Sequence, residues 1–209
     1  MITHVIRPGE CMATVAARYG FADENAIYGH PDNAELAKLR PNPNMLYPGD
    51  VVYVPEREDR SESIATGGAH TFVVRVAEKQ LKIAVHDEDG PRAGVAYTLV
   101  VAGETIRGTT DGDGKLDQTI PAHARVGRLT IGAAQYEVEI GALDPIEDTP
   151  DDGESGVRGR LRNLGIELPR DDARSLGHAI AMFQVMYDLP VTGIVDAKTI
   201  AALQNAHGS

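Results

Sequence analysis

Apolar positions change their spacing three times along the chain. Residues 2–6 (ITHVI) form a short β-rich run closed by the turn residues Arg7, Pro8 and Gly9. Met12, Val15, Ala16 and Tyr19 then recur at helical spacing, with Gly20 as a left-handed stop. A second helix is predicted from about Pro31 to Arg40, with Leu36 and Leu39 inward, before Pro41 and Pro43 end it. The run at residues 51–54 follows the turn-rich NPNMLYPGD and is too short to stand alone, so it needs the first strand as partner. The result is a β-α-α-β piece over residues 1–57.

From residue 70 to residue 143 the period falls to two. TFVVRVA, LKIAVHD, VAYTLVV, IRGTT, KLDQTI, RLTIG and YEVEIG are separated by Asp-Gly turns, which predicts a small β-sandwich. Beyond residue 156 the helical period returns in Val157, Leu161 and Leu164, stopped by Gly165. A longer helix is expected from Ala173 to Tyr187, burying Leu176, Ala179, Ile180, Phe183 and Met186 or Tyr187. After the break at Leu189 and Pro190 and the turn Val191-Thr192-Gly193, Asp196 is placed to cap a last helix carrying Thr199, Ile200 and Leu203. The expected fold class is therefore multidomain α+β: β-α-α-β, an immunoglobulin-like sandwich and a three-helix bundle.

Two stretches lack apolar periodicity. Residues 58–69 lie in the mixed-charge run EREDRSESIATGGA and read as a flexible joint. Residues 144–155 hold six acids, two prolines and no basic residue, so self-repulsion predicts an extended linker before the last piece at residues 156–209.

Charge narrows the partners. The net charge of -11 and a pI near 5.0 oppose phosphate backbones and anionic membrane surfaces, so neither nucleic acid nor a membrane is expected as a partner. The single cysteine, Cys11, rules out an intramolecular disulfide. MITHVIRPGE lacks the basic and long apolar regions of a signal peptide, which predicts cytoplasmic synthesis. Asp111, Asp113 and Asp117 open like a calcium loop, but no closing glutamate follows, and an Asp-Gly hairpin explains them better than a metal site. Seven scattered histidines and acid pairs in solvated turns offer no catalytic constellation, so neither an enzyme nor a cofactor is expected.

The pattern HVIRPGECMATVAARYG, then Asn33 and Leu36, then NMLYPGDVVYVP resembles a LysM domain over nearly its full length. The resemblance implies binding of N-acetylglucosamine glycans, peptidoglycan or chitin-like oligosaccharide, in a groove lined by Pro8, Gly9, Glu10, Cys11 and Met12 on one side. Met45, Leu46, Tyr47 and Pro48 line the other side. Glu10-Cys11 stands where the family commonly has Asp followed by Ser or Thr, which weakens a hydroxyl cap. The stretch VHDEDGPRAGVAYTLVVAGETIRGTTDGDGKLDQTIP resembles transthyretin-like or carboxypeptidase-regulatory-like sandwiches, which space or dock other domains.

RGRLRNLGIEL through AIAMFQVMYDLPVTGIVDAKTIAAL is similar to the three-helix peptidoglycan-binding domain, although IELPRDDARS replaces the family's glycine-rich loop. Gln184 falls on that pattern, as either a ligand contact or a backbone clamp. Two weak glycan modules on one chain gain affinity by avidity. The whole arrangement resembles proteins of type VI secretion and phage tails, which implies delivery to the periplasm or outside by a contractile machine. The alternative is an adaptor that has lost sugar binding and grips a toxin or spike protein.

Overall fold

The computed structural model describes residues 2–57, 67, 69, 77–87 and 90–208. It is a mixed α+β chain of several small sheets and six α-helices among the described residues. The joint expected at 58–69 and the run TFVVRVA lie almost wholly outside the described residues.

In the first piece β1 (Ile2–Val5) and β2 (Val51–Val54) pair antiparallel, Ile2 opposite Val54 and Val5 opposite Val51. Alternation puts Val52 and Val54 inside, against Met12, Val15 and Ala16 of α1 (Met12–Arg18). Each such buried aliphatic side chain contributes roughly 1.5–3 kcal/mol. Gly20 ends the helix at φ 77°, as its position predicts. The second helix differs from expectation. Pro31–Asn33 forms a 3-10 turn leading into α3 (Ala34–Leu39), and an unforeseen short α2 (Asn25–Tyr28) precedes it. Leu36 is inward, but Leu39 is 42% exposed, because the last turn lifts it off the core. Asn33 is fully buried and ties the layers together, donating to Ile27 O and Tyr53 O, each at 2.8 Å, and accepting from Tyr53 N at 2.9 Å.

The middle piece carries a four-stranded antiparallel sheet in the order β10-β9-β6-β7 (Ala134–Glu139, Val126–Ile131, Ala96–Val101, Glu104–Thr109). A second pair joins β3 (Glu78–Ala84) to β8 (Lys115–Pro121), while β4 (His86–Asp87) and β5 (Gly90–Pro91) form a minimal pair. Leu99, Leu129 and Ile131 of the first sheet share one core with Leu116 and Ile120 of the second. The Asp111 turn is not a hairpin. Its carboxylate accepts from Asp113 N and Lys115 N at 2.9 and 2.8 Å, yet β7 and β8 on either side belong to different sheets. Asx chemistry there serves a crossover between layers.

The last piece packs α4 (Glu154–Asn163), α5 (Ala173–Met186) and α6 (Ala197–His207) around Val157, Leu161, Ile180, Phe183 and Leu203. Asp196 caps α6 by accepting from Thr199 N at 2.8 Å, and Asp172 caps α5 through Ser175 N at 2.7 Å. Neither Met186 nor Tyr187 is buried as expected: they are 61% and 40% exposed, although the Tyr187 ring lies 4.5 Å, centroid to centroid, from Phe183.

Residues 144–155 do not form the extended linker that their charge predicts. Ile146 enters the last core, Asp151 Oδ2 accepts from Ser155 N at 2.9 Å, and α4 begins inside the segment at Glu154. Arginines from elsewhere in the chain capture its carbonyls: Arg40 bonds Glu147 O at 3.1 Å and Asp148 O at 2.9 Å, and Arg160 bonds Asp144 O at 3.0 Å. Charge-assisted bonds to the main chain outweigh the repulsion among the acids.

Candidate functional site

The loops of residues 8–12 and 45–48 come together on one side of the β1–β2 pair, because the Ile6–Asp50 turn bonds, Ile6 N to Asp50 O and Gly49 N to Ile6 O, both 2.9 Å, close the two ends. What they present differs from an open sugar groove. Glu10, Cys11, Met12 and Leu46 are each less than 5% exposed. Side chains so enclosed offer almost no surface to a glycan.

Each of these residues has an internal task. The Glu10 carboxylate bonds His4 Nε2 at 2.8 Å, Arg7 N at 3.0 Å and Arg18 Nη2 at 2.6 Å. Burial pushes that carboxyl up, but these hydrogen bonds and charges outweigh it and hold it below the usual range. Cys11 is the N-cap of α1, and Thr14 in the first turn supplies the reciprocal half of a capping box, its Oγ1 accepting from Cys11 N at 2.9 Å and donating to Cys11 O at 2.7 Å. Met12 and Leu46 belong to the core. The main-chain amides expected to face an acetamide are also engaged: Glu10 N with Arg7 O, Met12 N with Pro43 O, Met45 N with Asn42 O, and Tyr47 N with the Asp50 carboxylate.

The rest of the chain covers this side of the first piece. Arg125 of the sandwich donates to Gly9 O, and Gly9 and Gly141 approach so closely that a Cβ on Gly141 would stand 3.0 Å from Gly9 O. Cys11 and Ala13 pack on Ala122 of the sandwich. Met45 Sδ accepts from Arg160 Nη2 at 3.4 Å. Pro8 is exposed, and Gly9, Met45, Tyr47 and Pro48 are half-buried.

Gln184 is the backbone clamp of the two roles open to it. It has no exposed surface. Its Oε1 accepts from Thr192 N and Gly193 N at 2.8 and 2.9 Å, and its Nε2 donates to Ile194 O, Thr192 Oγ1 and Thr199 Oγ1 at 3.0–3.1 Å. The clamp holds the turn between α5 and α6 against Gly177, where a Cβ on Gly193 would meet Gly177 O at 3.1 Å. Outside this clamp, Met182, Val185, Met186, Val191 and Ile194 are 45–65% exposed. A second feature of these helices is a shallow depression of about 420 Å³ lined by Arg162, Gly165, Ile166, Glu167, Leu168 and Pro169, at the loop where IELPRDDARS departs from the expected pattern.

Residues 158–203, from α4 through most of α6, match the family described as "Putative peptidoglycan binding domain". Peptidoglycan is thereby supported as a partner. No curated protein and no solved structure matches the chain. The matched region includes both Gln184 and the exposed apolar surface around it. Sequence reasoning missed that surface: it set Met186 on the inward face as an alternative to Tyr187, although Val185, Val191 and Ile194 were visible as apolar residues off the core period. No described helix is long and apolar enough to cross a membrane, and no three His, Cys, Asp or Glu side chains among the described residues converge as a metal would require.

One titration belongs to this region. Burial, reinforced by the Arg160 charge, lowers His207 to about 4, and Asn163 Nδ2 lies 2.9 Å from its Nε2. The neutral ring fits the fold, so the unfolded chain takes up a proton first as pH falls below about 6.5. Stability is expected to fall between about pH 6.5 and 4 by about 1–2 kcal/mol, the figure being reduced for partial solvent access. Urea denaturation of His207→Gln against the wild type across that range checks this: the variant's stability should vary less with pH.

Proposed function

We propose that the chain is a non-catalytic peptidoglycan-binding protein whose wall contact lies in the helical region of residues 158–203. The observation that carries this reading is the family match over helices that share one core and present a clamped turn and an apolar surface. Apolar side chains on a rigid backbone suit the ring and acetamide methyl faces of N-acetylated sugars, because little ordering entropy is lost on binding. The first piece is read as LysM-like on its β-α-α-β order, with its Pro8, Gly9, Met45, Tyr47 and Pro48 as the part of the expected groove nearest the surface. We read the sandwich, of transthyretin-like type, as the spacer, and a contractile injection machine as the route to the wall.

The test is sedimentation with insoluble peptidoglycan. The full chain is expected in the pellet, and zymography on wall material is expected to show no clearing. A second reading, an adaptor for a toxin or spike protein, is favoured by one observation: the loops assigned to sugar are occupied by the chain itself. A protein that stays in the supernatant at every wall concentration supports the adaptor and removes the glycan reading.

A further inference from the structure

We propose that Arg40 is the centre of a binding site for the short anionic stem peptide of peptidoglycan, and that residues 147–152 occupy this site as a built-in competitor. The inference rests on the peptidoglycan reading and assigns it a second site.

Arg40 is 3% exposed and preset. Its guanidinium is held by the Asp50 carboxylate, Nε to Oδ2 at 2.9 Å and Nη2 to Oδ1 at 3.3 Å, and its Cζ stands 6.0 Å from the Tyr47 ring centroid. The N–H groups left over meet two successive amide carbonyls, Glu147 O and Asp148 O. A rigid fork reading consecutive carbonyls of an acidic segment is a peptide-recognition geometry. A stem peptide offers the same amide carbonyls and adds carboxylates, which a guanidinium binds more strongly.

The occupying segment is held at a cost that favours exchange. Asp148 and Asp152 both sit at φ 54°, a left-handed conformation that side chains other than glycine adopt under strain. The first core and the last core are separate clusters, and neither takes a member from the segment between Glu147 and Asp152.

Titration calorimetry of the full chain with a synthetic tetrapeptide, L-Ala-γ-D-Glu-meso-diaminopimelate-D-Ala, tests the proposal. Asp148→Pro cannot hold φ 54° and withdraws the Asp148 carbonyl, so its affinity should rise, by about tenfold if the segment fills the site nine-tenths of the time. Asp148→Gly relaxes the strain, strengthens the competitor and should weaken binding. Arg40→Lys keeps the charge but loses the fork and should abolish it, with a cooperative melting transition and an unchanged circular-dichroism spectrum at the assay temperature showing that the fold persists. Equal affinity for wild type and both Asp148 variants, or tetrapeptide binding unaffected in Arg40→Lys, overturns the proposal. Sedimentation of Arg40→Lys with insoluble peptidoglycan separates the two readings: retention there leaves residues 158–203 as the wall contact even if the tetrapeptide results fail.

Discussion

Gln184→Leu is expected to destabilise the helical region by about 3–4 kcal/mol and to release the protein from insoluble peptidoglycan. Leucine fills a similar volume, so the loss is not a cavity. It comes from the partners left behind: Thr192 N, Gly193 N, Ile194 O and the Thr199 hydroxyl all lose their bond to one side chain. Thr199 is 1% exposed and does not recover its partner from water. The turn also carries Val191 and Ile194, so the apolar surface loses its shape along with its support. Gln184→Glu separates the two effects. It keeps the acceptor for Thr192 N and Gly193 N but sets a carboxylate against Ile194 O, and should lie between wild type and leucine in both urea midpoint and wall retention. A leucine variant that melts like the wild type would mean that the turn is held by something other than this amide.

The same residue shows how far the sequence could be read. Its position on a family pattern was visible, but a buried amide and a ligand-facing amide leave the same trace in a string of letters. The difference lies in whether Thr192 and Gly193 turn back toward it, which is a tertiary fact. Regular elements were legible because one physical signal set each of them. Val157 and Leu161, and Ala179 and Phe183, repeat at helical spacing and are buried together, and Asp196 caps the helix it precedes. Leu39 shows the limit of that signal, since a helix of six residues has too few turns to distinguish its faces.

The acidic segment was misread for a different reason. Charge along the chain predicts repulsion, and the sequence gives no sign that Arg40, more than a hundred residues away, binds the segment's carbonyls and not its carboxylates. Backbone acceptors are present at every residue and so carry no compositional mark. The loops of residues 8–12 and 45–48 do not present the open groove expected of them on similar grounds. The turn residues do form rigid corners, yet those corners spend their amides locally and face the sandwich and α4.

Arg160→Met should cost about 2–3 kcal/mol at pH 7, less than a fully buried broken pair because Asp144 is only partly enclosed. Arg160 is 1% exposed, and burial lowers it to about 10, against the opposing pull of Asp144, so it is still charged at neutral pH. Its Nη1 bonds Asp144 O and Gly156 O, both at 3.0 Å, and its Nη2 reaches Met45 of the first piece. Asp144 needs that charge. Burial and the neighbouring Asp151 push its carboxyl above the ordinary value, and Arg160 is a counterweight. Without the arginine the carboxyl rises further, so the folded state prefers Asp144 protonated and is penalised most where it is ionised. The loss in Arg160→Met should therefore be greatest at neutral pH and shrink as pH falls through the raised Asp144 value toward the unfolded value near 3.8. Asp151 does not follow this course: burial raises it, but bonds from Thr149 and the Ser155 main chain outweigh that and hold it at about 2, so it stays ionised throughout. Combining Arg160→Met with Asp144→Asn removes the stranded carboxylate and should restore most of the lost stability at pH 7 while erasing the extra pH dependence. Urea midpoints for the four proteins of this cycle at pH 7 and 5 measure the coupling directly. A loss that is the same at both pH values and is not repaired by Asp144→Asn would assign Arg160 a role in fastening α4 to its neighbours through carbonyl bonds alone, independent of the carboxylate beside it.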